Sequence, residues 1–262
     1  MPALLTRRRL LTGAAVASTA SVAGCDAFDD MLSGNHPVRD FIENSANGLF
    51  YRVHRFLNGG SRLAQEFTEA DIRQPMRPNG ITRPENADYK ALAANNFADW
   101  RLEVGGLVDR PLSLSLNDLR GMPVRTQITR HDCVEGWSCI AKWTGVPLAH
   151  ILDQAGAKPG ARFVLFRCMD TIERGLSGEV KYYESIDLVD ARHPQTILAY
   201  GMNGTDVPVE NGAPLRLRVE RQLGYKMAKY LHAVELVDDL APHGDGQGGY
   251  WEDRGYEWYA GI

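Results

Sequence analysis

Hydrophobic and polar positions follow a strand-like pattern through most of the chain after residue 100. Residues 112–116 alternate apolar and polar side chains, which is typical of a half-buried strand, whereas residues 163–168 are almost continuously apolar, which is typical of a fully buried strand. The other predicted strands are residues 102–104, 107–108, 125–131, 196–200, 215–219 and 230–237. The pattern therefore predicts one mixed α+β domain of many short strands.

Helical spacing is confined to two places. Residues 147–155 predict a helix, because proline favours the first turn and Gly156 ends it. Residues 37–57 predict an amphipathic helix, or two short ones separated near Asn47. Residues 58–96, rich in Gly, Pro, Asn and Arg, predict an ordered but irregular segment.

Composition narrows the class of protein. Of 262 residues, 44% are hydrophobic and 24% are charged, which is ordinary for a folded domain and too apolar for a disordered chain. The net charge of −4 argues against a nucleic-acid-binding protein, because such a protein presents a basic face. No run of 18 apolar residues occurs, so we expect no membrane-spanning helix.

The first residues have the composition of an export signal. Three arginines at positions 7–9 precede a short apolar stretch that ends in Val-Ala-Gly-Cys at Cys25. The arginines resemble a twin-arginine signal and the last four residues resemble a lipobox, with a general secretory signal cleaved elsewhere as the alternative. We expect residues 1–24 to be a signal peptide, residues 25–36 a tether beginning at a lipidated Cys25, and residues 37–262 the folded domain. The expected location is periplasmic, with the lipid anchor as the only membrane contact.

Four cysteines are too few for a disulfide scaffold of this length. Once Cys25 is lipidated, Cys133, Cys139 and Cys168 leave at least one thiol unpaired or bound to a ligand. The spacing of Cys133 and Cys139 does not match a zinc site, and no Cys-x-x-Cys-His haem motif occurs. One interpretation is therefore a Cys133–Cys139 disulfide in a non-catalytic lipoprotein that binds an anion or pterin, or serves as an envelope scaffold.

The residues around Cys133 favour a different interpretation. Residues 131–138 read His-Asp-Cys-Val-Glu-Gly-Trp-Ser. This segment resembles the molybdenum-binding segment of the sulfite oxidase-like family of molybdopterin oxidoreductases, and is nearest to its haem-free methionine sulfoxide reductase branch. The resemblance implies a sulfite oxidase-like fold of mixed sheets and short helices, with the Cys133 thiolate bound to molybdenum. A soft thiolate suits a metal that also takes dithiolene sulfur.

Two further segments resemble cofactor-binding motifs of this family. Residues 211–217 read Asn-Gly-Ala-Pro-Leu-Arg-Leu, and residues 223–229 read Leu-Gly-Tyr-Lys-Met-Ala-Lys. By this resemblance, the cofactor contacts are Asn211, Arg216, Met227, Ala228 and Lys229. Those residue types suit the task, because a phosphate needs convergent N–H donors and a cation, and arginine donates paired hydrogen bonds in one plane.

Two positions depart from the family pattern. Cys168 stands where the family has a pterin-contacting threonine, so a weaker thiol donor replaces the hydroxyl. Asn96 resembles a further pterin contact, although the next strand begins sooner than in that branch, and Ala98-Asp99 replaces an aromatic-acidic pair.

Other candidates have purely structural alternatives. His131 lies two residues before Cys133, so on a strand it faces the same side and either lines the metal pocket or is a satisfied core histidine. Tyr182 lies where the family presents substrate-side residues, or packs as a loop aromatic. Arg218 is expected on a solvated salt-bridge face, and the aromatic tail, residues 241–262, is interpreted as a packed cover or as part of a pocket entrance.

The resemblance implies an oxidoreductase that uses molybdopterin with molybdenum for two-electron oxygen-atom transfer. Sulfoxide-type reduction and sulfite-type oxidation use the same residues, and the nearest branch favours reduction. The implied partners are a small-molecule oxo-donor or oxo-acceptor and an external electron carrier, either a quinone-linked membrane protein or a cytochrome.

Overall fold

The computed structural model describes residues 48–56, 62–175 and 178–262. The expected signal peptide, tether and lipidated Cys25, and the predicted domain boundary at residue 37, lie outside these residues. Residues 48–56 are helical, in agreement with part of the helix expected over residues 37–57. One compact unit spans His54–Ile262, and a separate unit ends at Val53. Within the described ranges, no helix has the length and apolar character needed to span a bilayer.

Among the described residues, four further α-helices are short, and their ends follow local chemistry. They are α1 (Ala87–Ala94), α2 (Leu116–Arg120), α3 (Leu148–Ala155) and α4 (Leu188–Ala191). The predicted helix at α3 is confirmed, and it ends at Gly156 with φ +69°, a left-handed conformation that glycine adopts without a Cβ clash.

Helix α1 lies inside the segment that was expected to be irregular, so that prediction was wrong for residues 87–94. The Asn86 side chain caps the helix by accepting a hydrogen bond from the Tyr89 backbone N–H at 3.1 Å. An Asn cap before an Ala-rich run was the sequence signal for this helix.

In the part of the chain that the structure describes, ten strands form two five-stranded sheets. The first has the order β2–β1–β10–β5–β6, and the second has the order β3–β4–β7–β8 with β9 paired to β7. All neighbours pair antiparallel except β1 and β10, which are parallel. The strands are β1 (Leu102–Gly106), β2 (Leu112–Leu114), β3 (Arg125–Cys133), β4 (Trp137–Pro147), β5 (Phe163–Gly175), β6 (Gly178–Asp187), β7 (Ile197–Met202), β8 (Thr205–Asp206), β9 (Arg216–Arg218) and β10 (Leu231–Val237).

Most predicted strands are present, with shifted ends. Strand β3 continues to Cys133, and residues 107–108 are not a strand, because Val108 makes only an isolated bridge to Ala157. Strands β4 and β6 and the two-residue strand β8 were not predicted. In β4, buried positions alternate with less buried ones, so its signal was present in the pattern of residues 137–145.

One apolar core joins the two sheets. Helix α3 contributes Leu148 and Ile151, the first sheet contributes Phe166 from β5, and the second contributes Leu198 from β7. All four side chains have no exposed surface. The shared core therefore fixes the two sheets against each other in the unit that holds the candidate site.

Strands β4 and β7 approach each other closely at Gly145. A Cβ atom there would overlap the Leu198 carbonyl oxygen and lie 2.6 Å from the Ala199 Cα. The pairing register shifts at this point, between Thr144 and Gly145. Because the obstacle is backbone, the strands must separate to admit any side chain.

We expect Gly145→Ala to destabilise the protein by about 2 kcal/mol or more, because overpacking against backbone forces the strands apart. Gly105→Ala is the matched control, since β1 leaves open space at that Cβ position. The control is expected to change the free energy of unfolding by less than about 1 kcal/mol. Urea denaturation followed by far-UV circular dichroism measures both, and equal effects would contradict the prediction.

Candidate active site

A cavity of about 190 Å³ opens where the end of β3 meets β5, β6 and three loop segments. Residues that are far apart in sequence converge on it. They are residues 79–81, residues 133–135, Asp170, Ile172, Tyr182, Gly224, Tyr225, residues 227–229, Trp251 and Tyr256. The cavity therefore brings together five predicted site residues: Cys133, Tyr182, Met227, Ala228 and Lys229.

Cys133 ends β3 at the cavity wall. Its cross-strand partner is Trp137, and the chain reverses at Gly136, whose φ is +81° and whose N–H donates to the Cys133 carbonyl at 3.0 Å. Burial raises the pKa of the Cys133 thiol. A bound metal ion would favour the thiolate and offset that cost.

The structure describes Cys133, Cys139 and Cys168 as three free thiols. Cys139 is buried and pairs with His131 across the β3–β4 ladder, so it is not opposite Cys133. The Cys133–Cys139 disulfide of the alternative interpretation is absent from the described residues. Of these three cysteines, only Cys133 lines the cavity.

The segment from Gly224 to Lys229 forms the opposite wall. Gly224 approaches His131 so closely that a Cβ atom would lie 2.5 Å from two ring atoms of the histidine. A short 3₁₀ helix, Gly224–Lys226, then turns the chain, and the Ala228 carbonyl accepts from the Leu217 N–H at 2.8 Å. Glycine is thus needed for the backbone to reach its place beside β3.

Lys229 is buried and already satisfied within the protein. Its ammonium donates to the backbone carbonyls of Asn79 at 2.6 Å, Ile81, and Glu210 at 3.0 Å. Burial and the nearby Arg216 lower the pKa of Lys229 to about 7. Lys229 therefore anchors residues 79–81 as a cavity wall, a segment that sequence reasoning did not assign to the site.

Arg216 and Asn211 lie behind the cavity wall. Arg216 Nη1 donates to the Asn211 carbonyl at 2.8 Å, and Nη2 lies 3.4 Å from the Met227 carbonyl. Burial, followed by the nearby Arg218, lowers the pKa of Arg216 to about 9. Arg216 Nε and Asn211 Nδ2 are both buried without a hydrogen-bond partner in the described part of the chain.

His131 is fully buried next to Met227 and does not line the cavity. Arg218 Nη1 lies 3.1 Å from its Nδ1, and an arginine can only donate, so Nδ1 accepts and Nε2 carries the proton. Burial and Arg218 lower the pKa of His131 well below its usual value, which keeps the ring neutral. Nε2 is one more buried donor without a partner among the described residues.

Tyr182 lines the cavity, but its hydroxyl is engaged. It donates to the Tyr225 carbonyl at 2.5 Å, and burial raises its pKa well above the usual value. Tyr182 therefore lies at the cavity wall with its hydroxyl bonded to the protein backbone, and its substrate-side role stays a prediction.

The structure does not bring Asn96 or Cys168 to the cavity wall. Asn96 is exposed just after α1, with φ +53°. Cys168 is buried in β5 opposite Leu231, two residues before the cavity-lining Asp170.

Asp170 is a site residue that sequence reasoning missed. It is 4% exposed, and its Oδ1 has no hydrogen-bond partner among the residues described. Burial raises its pKa to about 7 against the opposing charge of Lys229. A lone aspartate at the end of an apolar strand was its only sequence signal.

Arg218 was expected to be solvated, and that expectation was wrong. Arg218 and Glu220 are 0% and 3% exposed, and they form a buried ion pair at 2.5 Å. The Arg218 guanidinium also lies 4.6 Å from the centre of the Trp143 ring. Residues that alternate along a strand place their side chains on opposite faces of the sheet, so one face was expected to be solvated. Here both faces of the strand are covered by protein.

Comparison with known proteins decides the family. A model of the oxidoreductase molybdopterin-binding domain matches residues 89–243. The chain belongs to this family. It is accordingly a molybdopterin-dependent oxidoreductase whose cofactor is molybdopterin with molybdenum, and the sulfite oxidase-like resemblance and fold are confirmed.

Curated relatives carry more specific names. A putative protein-methionine-sulfoxide reductase subunit YedZ1 from Azospira oryzae is 38% identical over 80% of this chain and 72% of its own length. The catalytic subunit MsrP of a protein-methionine-sulfoxide reductase from Gluconobacter oxydans is 38% identical over 91% of this chain and 71% of its own. The catalytic subunit MsrP from Xanthomonas axonopodis is 31% identical over 89% of this chain and 70% of its own length.

The residues present fit the family's cofactor. Arg216 Nε, Asn211 Nδ2 and His131 Nε2 are buried donors without partners in the described residues, and Arg216 and His131 both contact Met227 on the cavity wall. Unpaired buried donors are costly, and a pterin or phosphate rich in acceptors would satisfy them. No group of three or more metal-binding His, Cys, Asp or Glu side chains occurs in the ranges that the structure describes.

A buried ion triad holds the aromatic tail against this wall. Lys226 Nζ lies 2.5 Å from Glu184 Oε1 on β6 and also contacts Glu252 in the tail. All three side chains are at most 1% exposed. Burial and the nearby Glu252 raise the pKa of Glu184 well above its usual value. The tail is thus a packed cover and also borders the cavity, so it has both of the positions that the sequence suggested.

We expect Lys226→Met to destabilise the protein by about 3–5 kcal/mol at pH 8, because two buried carboxylates lose their cation. The pKa of Glu184 then rises further in the folded state, so the folded protein takes up protons as pH falls. The loss of stability is therefore smaller at pH 5 than at pH 8. Urea denaturation at both pH values measures this difference.

Lys90→Met is the control, because the Lys90–Glu85 pair is more than half exposed. Its expected cost is below about 1 kcal/mol at either pH. A charge-compensating role for Lys226 would be contradicted if Lys226→Met lowered the free energy of unfolding as little as Lys90→Met does. It would also be contradicted if the loss in Lys226→Met did not depend on pH.

Proposed function

We propose that this chain is the catalytic subunit of a periplasmic protein-methionine-sulfoxide reductase, with Cys133 as the protein ligand of molybdenum. One observation carries the proposal: the Cys133 side chain shares a cavity with Met227, Ala228 and Lys229. The named relatives support the choice of substrate and direction. Sulfite-type oxidation would use the same residues, but those relatives are named as reductases.

The reaction converts a sulfoxide, two protons and two electrons into a thioether and water. The cofactor supplies the two-electron chemistry when bound. The chain contributes a thiolate at Cys133 and buried donors behind Met227. Val134, Ile172 and Met227 line the cavity with apolar surface, which suits the methyl-sulfur end of an oxidised methionine.

We propose that the electrons come from a separate protein. Three relatives are named as a subunit or catalytic subunit, which implies a second component in those enzymes. A quinone-linked membrane protein or a cytochrome suits a lipid-anchored enzyme, because the anchor holds both near one membrane.

We expect Cys133→Ala to remove molybdenum and sulfoxide reduction together, because the variant lacks the thiolate ligand. Cys139→Ala is the matched control, since Cys139 lies on the neighbouring strand outside the cavity and should retain about one molybdenum per chain. Metal analysis and reduction of methionine sulfoxide by a reduced viologen dye measure both. Full metal content and activity in Cys133→Ala would refute the ligand assignment. Metal binding without activity in the parent protein would favour a non-catalytic pterin-binding protein.

Export and lipidation are proposed from residues 1–25. We expect the mature chain to begin at a diacylated Cys25 and to fractionate with membranes, whereas Cys25→Ser should release soluble periplasmic protein. Mass spectrometry of the mature N-terminus and cell fractionation measure this. An unmodified N-terminus elsewhere in the chain would contradict lipidation at Cys25.

A further inference from the structure

Two exposed aromatic rings border the cavity. Trp251 and Tyr256 both line the space that contains Cys133, yet they are 36% and 39% exposed. Leaving large rings in water forgoes the free energy that burial of their apolar surface would provide. A rigid, exposed aromatic pair at the mouth of a reactive cavity is typical of a binding surface.

The two rings are held in place from inside the protein. They stack on each other with centroids 5.2 Å apart and planes 26° apart. Tyr225 meets Tyr256 edge-on at 5.3 Å, and Tyr250 meets Trp251 edge-on at 5.2 Å. Such contacts favour one ring arrangement, so the surface is formed before a substrate arrives.

The backbone of the tail is fixed as well. The Tyr256 N–H donates to the Trp251 carbonyl at 3.0 Å across a 3₁₀ turn that ends at Gly255 with φ +90°. The Tyr225 hydroxyl donates to the Glu257 carbonyl at 2.6 Å, and Lys226 binds Glu252. The turn that carries both rings is therefore attached to the wall formed by residues 224–229.

We propose that Trp251 and Tyr256 bind the polypeptide that flanks an oxidised methionine while its sulfoxide enters the cavity. The inference rests on the proposed function. A sulfoxide group is small, so rings at the exposed rim are reached by atoms further along the substrate. Aromatic faces bind peptide planes and apolar side chains in many sequence contexts, which suits an enzyme whose substrate is a methionine within a polypeptide.

The exposed lining formed by residues 134–135 adds little competing charge. Val134 is 46% exposed there, and the nearby Glu135 has Arg77 at 3.9 Å. The mouth is therefore largely apolar, with one partly compensated acid. A polypeptide with apolar flanks fits this mouth better than a highly charged one.

The test compares two substrates in the holoenzyme with a reduced viologen dye: a peptide with one methionine sulfoxide between apolar residues, and dimethyl sulfoxide. We expect Trp251→Ala and Tyr256→Ala each to raise the KM for the peptide about tenfold, as loss of an aromatic anchor does at interfaces, with kcat little changed. The kcat/KM for dimethyl sulfoxide should fall much less than that for the peptide, because dimethyl sulfoxide has no flanking polypeptide to reach the rings. Trp251→Phe should restore most of the peptide KM, because it keeps a ring.

Tyr200→Ala is the matched control, because Tyr200 on β7 is a partly exposed tyrosine outside the cavity lining. It should leave both substrates unaffected. If Trp251→Ala lowers the molybdenum content, the comparison of the two substrates is decided by Tyr256→Ala alone. Equal losses for both substrates, or no loss for the peptide, would overturn the inference.

A binding measurement separates this inference from the proposed function. Fluorescence anisotropy with a labelled methionine sulfone peptide, which cannot be reduced, needs no turnover. We expect the Kd to rise about tenfold in Trp251→Ala and Tyr256→Ala. If the parent enzyme reduces neither sulfoxide, the proposed function fails, and an unchanged Kd in the two variants then refutes the peptide-binding surface separately.

Discussion

Five cationic side chains are buried along one short stretch, and the structure around the cavity is organised to compensate them. Arg216, Arg218, Arg221, Lys226 and Lys229 are each at most 6% exposed. Moving a charge out of water costs several kcal/mol unless acceptors replace the lost hydration, so each cation demands partners from elsewhere in the chain. The stretch of residues 216–229 thus determines which distant segments must meet.

Those partners also form the cavity. Lys229 donates to the carbonyls of Asn79 and Ile81, and Lys226 binds Glu184 on β6 and Glu252 in the tail. The loop before α1, the second half of the first sheet and the C-terminal tail therefore share one wall. Arg216 differs, because part of its guanidinium has no partner in the described residues, which is the arrangement expected of a group that binds an acceptor-rich cofactor.

Local patterns predicted local structure well. Helix α3 follows from a proline, an apolar stripe and a terminal glycine, and β5 follows from an apolar run, because these signals act within a few residues. The same reasoning failed for β6, whose first half is exposed and whose second half is buried. Its strand character depends on pairing with β5, and such pairing is a property of the assembled sheet.

The sequence by itself determined the family, through the segments around Cys133, Asn211 and Met227. These segments are informative because residue identity at short spacing decides where the backbone can approach a ligand, where a thiolate can form and which side chains can donate hydrogen bonds. Only the tertiary structure decided that Asp170, residues 79–81 and the tail join the site while Asn96 lies outside it. It also decided that Arg218 is buried. The burial of Arg218 and the convergence of the site residues depend on how two sheets pack on one core. No local pattern in the sequence determines that packing.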